Sequence, residues 1–166
     1  SLGGKQLGQQ ATPILQGTHA TSYCYEKAMK IRHTGIVVTD MTQATRFYRD
    51  LLGLRLVYWE TESNDQLDEC LGLRSVQVEI AKLEDEENGV IELLKYKFPE
   101  GRKRGNKIND FGISHVAFTL PDLDTFYQET QNEVLFSCPP QKFPNGVKMT
   151  FCQDPDGNHV ELVQLP

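Results

Sequence analysis

The sequence predicts an α+β fold built from two copies of one β-α-β-β-β unit. Three observations carry this. Hydrophobic patterning switches between period 2 and period 3.6 in the same order twice, over residues 31–97 and again over 111–165. A histidine stands seven residues before a helix-capping aspartate in each copy, His33 before Asp40 and His115 before Asp122. Each copy closes on a strand with a glutamate between apolar neighbours, Glu92 in VIELL and Glu161 in HVELV.

The elements follow in order. IRHTGIVV, from Ile31, reads as a strand with Ile36 and Val38 on one face and His33, Gly35 and Val37 on the other. Asp40, with Gln43 three residues later, opens a helix as a capping box would. Met41, Ala44, Phe47, Tyr48, Leu51 and Leu52 form its apolar stripe, and Gly53 ends it. LRLVYWE is the second strand. A polar stretch through Asn64-Asp65 and a short turn at Leu71-Gly72-Leu73 lead into SVQVEIAKL, the third. Glu84 to Gly89 is a hairpin tip in which Asn88-Gly89 supplies the turn, and VIELLKY returns from it.

Residues 98–110, FPEGRKRGNKIND, carry no hydrophobic period and read as a linker. The second copy opens with GISHVAFTL. Asp122 caps the helix in PDLDTFYQET, and a short strand is expected near Val134–Ser137. Pro139, Pro140 and Pro144 punctuate a loop; VKMTFCQ and NHVELVQL are strands joined at Asp156-Gly157. Residues 1–29, rich in Gly, Gln, Thr and Ser, read as an N-terminal arm, in part disordered or left over from expression, with a short helical turn over Tyr23–Lys30. The expectation is one domain over 30–166 behind that arm.

At 166 residues the chain can bury about 70% of its unfolded surface and needs no disulfide staples. Lys+Arg 17 against Asp+Glu 23 gives a net charge of −6, which argues against a general nucleic-acid binder. No apolar run approaches the roughly 18 residues of a membrane span. The first residues lack the apolar core of a signal peptide, so a cytoplasmic protein is expected. Cys24, Cys70, Cys138 and Cys152 form no CxxC pair and read as reduced thiols in or near the core.

Strand alternation sends Ile91, Leu93, Val160 and Leu162 to the helix side and leaves Glu92 and Glu161 on the opposite face with His33 and His115. These four residues are the candidate site, expected on the concave side of a curved sheet. Two carboxylates there would repel each other and resist desolvation. A divalent cation removes both problems, since two imidazoles and two carboxylates make a neutral site with a 2+ ion. The donor set suits Zn, Ni, Co, Mn or Fe and is too rich in nitrogen for Mg or Ca. A lone strand histidine is more often structural than a ligand, and a half-exposed glutamate is usually just solvated. The repeat of both together is what favours the metal. His159 shares the face of Glu161; lining the cavity and acting as a rival ligand are both open to it, and exposure by the Asp156-Gly157 turn is the plainer reading.

The segments HTGIVVTDMTQATRFYRDLLGLRLV, IELLKY, SHVAFTLPDLDTFY and FCQDPDGNHVELVQ resemble the vicinal oxygen chelate superfamily, which includes glyoxalase I, methylmalonyl-CoA epimerase, extradiol dioxygenases and bleomycin resistance proteins. The resemblance implies paired βαβββ modules forming a cupped mixed sheet around one divalent transition metal. The order His33, Glu92, His115, Glu161 is similar to the metal ligands of glyoxalase I. It implies a lyase or isomerase acting on a small substrate with adjacent oxygens, by proton transfer through a metal-bound enediolate, with Glu161 as the base and Glu92 the other candidate. Where the bacterial glyoxalase I pattern carries an Arg and an Asn for glutathione, this chain has Val37 and Tyr96. Arg102, Lys103, Arg104 and Lys107 are candidates for an anionic substrate tail, against the plainer reading of a solvated basic loop. Three other readings stay open: an Fe(II) extradiol-type dioxygenase, an epimerase of the methylmalonyl-CoA kind, and a binding or resistance protein without chemistry. Members of this superfamily are commonly dimers, and the resemblance implies a homodimer.

Overall fold

The computed structural model describes residues 30–102, 105 and 107–166. The expectations for the arm over 1–29, and for Lys103 and Arg104, lie outside the described residues. Ile31–Pro166 is one compact unit.

The first module runs β1 (Thr34–Val37), α1 (Met41–Thr45), β2 (Arg55–Glu62), α2 (Asp65–Leu71), β3 (Gln77–Glu84) and β4 (Val90–Phe98). Its strands form a sheet ordered β1-β4-β3-β2, in which β1 is parallel to β4 and the other pairs are antiparallel. A parallel pair cannot be closed by a tight turn. The helix and the β2–β3–β4 meander supply the crossover. The second module repeats the plan with β5 (His115–Thr119), α3 (Leu123–Thr130), β6 (Leu135–Phe136), β7 (Gln141–Lys142), β8 (Lys148–Gln153) and β9 (His159–Gln164). Its order is β5-β9-β8-β6, with β7 also on β8, and β5 is parallel to β9. The α+β fold and the doubled unit are as expected.

The caps are those the sequence indicates. Asp40 accepts from the Gln43 amide at 2.9 Å and Asp122 from the Thr125 amide at 3.0 Å. Both carboxyls are held below the ordinary carboxylate range by these backbone N–H groups. Beyond Thr45 the helix widens into a π-helical segment, Arg46–Leu51, where Leu52 N donates to Phe47 O. Gly53, at φ 80°, ends it.

Three details correct the sequence reading. The polar stretch after β2 is a helix, α2, which Asn64 caps and Gly72 ends at φ 63°. It has no fully buried residue, so its apolar stripe is faint. Ile31 to His33 precede β1 rather than opening it. The loop after Pro140 holds the two-residue strand β7.

The main core lies between the helices and the backs of both sheets. Met41, Ala44, Phe47 and Tyr48 meet Leu83, Leu93, Val160 and Leu162 there, each side chain of this size contributing about 1.5–3 kcal/mol on burial. The modules are also tied by polar bonds. Tyr48 Oη donates to Asp154 Oδ2 at 3.0 Å, and Thr39 N donates to Asp156 Oδ2 at 3.0 Å. A second, smaller cluster of Val76, Val78 and Ile80 lies on the other face of the first sheet, with Tyr58, Leu67 of α2, Leu94 and Tyr96 packed on it.

Among the described cysteines none is in a disulfide, and only Cys152 is fully buried. Burial first, and then the Asp154 charge, pushes its thiol up to about 12. Native protein at pH 8 is therefore expected to alkylate at exposed Cys70 and spare Cys152, since the thiolate is the nucleophile. Peptide mapping after iodoacetamide checks this. Equal labelling at both positions would contradict the burial.

Candidate functional site

Each module presents one histidine–glutamate pair at the same place. In the first, the residue two beyond His33, Gly35, is paired in register with Glu92. In the second, the residue two beyond His115, Ala117, is paired with Glu161. The strands thus carry each imidazole and its carboxylate side by side on the face away from the core. His33 Nε2 lies 3.1 Å from Glu92 Oε2, and His115 Nε2 lies 3.2 Å from Glu161 Oε2. The histidine side chains are 33% and 34% exposed and the glutamates 12% and 19%. Both pairs are therefore anchored yet open to a solute.

That spacing tests whether a metal fits. Two donors each about 2.1 Å from one ion, at tetrahedral to octahedral angles, lie about 3.0–3.5 Å apart. Each pair has a spacing that fits two donors on one ion and equally fits a direct imidazole–carboxylate contact. The His115 ring is also oriented, with Ser114 Oγ 2.7 Å from Nδ1, leaving Nε2 to face Glu161.

The four residues do not converge within one chain. Among the described residues no three of His, Cys, Asp and Glu gather closely enough to hold a metal ion. The reason is topological. His115 opens the edge strand β5 and His33 immediately precedes the edge strand β1, each glutamate is on the adjacent strand, and the strands form two sheets rather than one. One chain carries two separate His–Glu pairs.

A cavity of about 1440 Å³ runs beside β1 and β5. Val37, Tyr96, Arg102, Lys107, His115 and His159 line it, whereas His33, Glu92 and Glu161 do not. The described linker cations Arg102 and Lys107 therefore face a cavity. His159 is half-buried and in register beside His115, not the exposed turn residue that one reading of the sequence allowed.

Sequence reasoning missed the residues opposite the glutamates. Lys82 on β3 is in register with Glu92, and its Nζ lies 3.2 Å from Glu92 Oε1. The same ammonium sits 5.1 Å from the centre of the Tyr58 ring. In the second module Phe151 takes this place, in register with Glu161 and edge-on to His115 at 5.3 Å between ring centres. The two pairs are alike in their histidine and glutamate and unlike in their third neighbour.

Comparison with known proteins bears on the family and the fold. The chain is 24% identical over 154 residues to a 2-epi-5-epi-valiolone epimerase of Actinomyces sp., covering 84% of this chain and 81% of that protein. It is 29% identical over 150 residues to a lactoylglutathione lyase of Schizosaccharomyces pombe, covering 81% of this chain and 47% of the lyase. The crystal structure of a glyoxalase family protein from Bacillus cereus has a TM-score of 0.79 at 22% identity, over 86% of this chain and 99% of that one, which shows the same fold. Residues 30–162 match the family model described as Glyoxalase/Bleomycin resistance protein/Dioxygenase superfamily, and the chain belongs to that superfamily.

Proposed function

We propose that this chain is a metal-dependent lyase or isomerase that moves a proton on a small substrate bearing two adjacent oxygens, acting as a cytoplasmic homodimer. The matched His–Glu pairs at ligand spacing carry the reading. Each supplies one nitrogen and one carboxylate oxygen, and two pairs make the neutral set that Zn, Ni, Co, Mn or Fe accepts. Since one chain holds the halves apart, two copies complete each site. Among the described residues β1, which His33 precedes, and β5, which His115 opens, are outer strands of their sheets, and Val37 of β1 and Ile113 just before β5 are exposed.

His33, Glu92, His115 and Glu161 would hold the ion, whose Lewis acidity would serve to polarise a carbonyl oxygen and acidify the neighbouring C–H. The side chains do the rest. His33 and His115 hold their nitrogens toward the site, and Glu92 supplies fixed negative charge. Glu161 takes the proton and returns it, with Phe151 beside it keeping water away. The two curated relatives are by name an epimerase and a lyase, the same two classes. Val37 and Tyr96 leave no polar clamp for glutathione at those positions, and Tyr96 is instead packed in the second apolar cluster.

The test is metal analysis after loading with Zn, Ni, Mn, Co and Fe(II) in turn. A screen of 2-oxoaldehyde hemithioacetals, acyl-CoA thioesters and catechols follows, with oxygen uptake recorded. Metal binding and an isomerised product without oxygen uptake are expected. Oxygen uptake with a catechol would replace the reading by a dioxygenase, and a protein that takes up no metal by a binding protein. Glu161→Gln should retain metal while turnover falls about 10²–10⁴-fold. Glu92→Gln should lose metal affinity first.

A further inference from the structure

We infer that Lys82 is a positioning residue that reserves one oxygen of Glu92, so that only the other is offered to the site. The inference rests on the metal-dependent reading above. Its basis is the division of labour on one carboxylate. Glu92 Oε2 faces His33 Nε2 at 3.1 Å, whereas Oε1 faces Lys82 Nζ at 3.2 Å. The two contacts lie on different oxygens of a side chain only 12% exposed.

Lys82 is itself held in place. It is the cross-strand partner of Glu92 on β3, and its ammonium lies against the Tyr58 ring. That ring is fixed in turn by a bond from Tyr58 Oη to Glu62 Oε1 at 2.9 Å. The second module has no counterpart, because Phe151 occupies the register position opposite Glu161. An aromatic edge cannot engage a carboxylate as an ammonium does. Glu161 therefore keeps the freedom to leave the ion and carry a proton, and Glu92 does not. The repeat supplies two equivalent ligand pairs, and one substitution across the hairpin makes them inequivalent.

The consequence is a prediction whose two parts run against ordinary ligand loss. Without the ammonium, Glu92 can offer both oxygens and the site loses a nearby positive charge. The ion is then bound more tightly and more fully. Co(II) is the probe, because its visible absorption weakens as its coordination number rises. Lys82→Met is expected to bind Co(II) about tenfold more tightly by chelator competition and to show a weaker visible band, at an unchanged melting temperature. Lys82→Arg should match the parent in both.

Tighter binding with an unchanged spectrum means that Lys82 acts through charge alone, and overturns the inference. So does unchanged affinity, or weaker binding with a lowered melting temperature, which would mark Lys82 as merely structural. If the parent takes up no Co(II), the metal-dependent reading itself fails and this one falls with it. Failure of Lys82 alone leaves the parent binding Co(II) normally.

Discussion

His33→Ala protein is expected to be purified with almost no metal, and His115→Ala likewise, while both melt at the temperature of the metal-free parent. The histidines are one-third exposed and stand outside the main core, so the fold does not depend on them. Losing one of four donors should cost orders of magnitude in affinity, since the neighbouring Lys82 ammonium has no lone pair with which to replace an imidazole. The revealing experiment is to mix the two variants. If each site combines the first module of one copy with the second module of the other, a mixed dimer has one site with both lesions and one with none. Random exchange makes half the dimers mixed, and about a quarter of the parent metal capacity returns. Mass spectrometry confirms exchange, and elemental analysis reads the result. Exchange without recovered metal would show that sites are not shared between copies. Parent-level metal in either single variant would show that the histidine is not a ligand.

How far the sequence disclosed this arrangement varies with the kind of interaction. The two His–Glu pairs were legible because a strand has period 2. Once Ile91 and Leu93 are assigned to the core, Glu92 has one place to go, and the same holds for Glu161 beside Val160 and Leu162. The caps at Asp40 and Asp122 were legible because they are local. Lys82 was not. Its partnership depends on the register of a hairpin, and the register depends on the loop. A two-residue Asn88-Gly89 turn would bring Asp85 opposite Glu92. The loop instead runs from Asp85 to Gly89, closed by Asp85 N donating to Gly89 O at 3.0 Å. Asp85 Oδ1 also accepts from Glu87 N and Gly89 N at 2.8 and 2.7 Å. That side chain, an Asx-type clamp, shifts the pairing so that Lys82 meets Glu92.

The separation of the two pairs was illegible for a different reason. Period and spacing fix which face of a sheet a residue occupies, but not whether two sheets close on each other within one chain. In α2 the burial is too shallow to leave a stripe, although Asn64 and Gly72 at its ends were the signals that could have revealed it.

Asp154→Ala is expected to lower stability by about 3–5 kcal/mol, a large share of what a domain of this size possesses. Asp154 is 4% exposed and accepts four hydrogen bonds. Three come from the turn that it begins: Asp156 N at 3.0 Å, Asn158 N at 2.8 Å and Asn158 Nδ2 at 2.9 Å. The fourth comes across the module boundary from Tyr48 Oη. Tyr48 is wholly buried, and burial first, then the Asp154 charge, holds its phenol well above the ordinary range, so it remains a neutral donor. Truncation to alanine strands that donor among apolar side chains and frees the turn that bears Asp156, whose carboxylate binds Thr39. A stranded buried donor alone costs about 1–3 kcal/mol. For a chain of this length the loss should lower the melting temperature by about 10 °C. The pair Asp154→Ala with Tyr48→Phe isolates the cause. Removing the hydroxyl as well abolishes the stranded donor, so the double variant should be more stable than the sum of the single losses predicts. Urea melts of the four proteins measure this coupling. A coupling near zero, or an Asp154→Ala protein that melts within a degree of the parent, would mean that the module boundary is held by the apolar core alone.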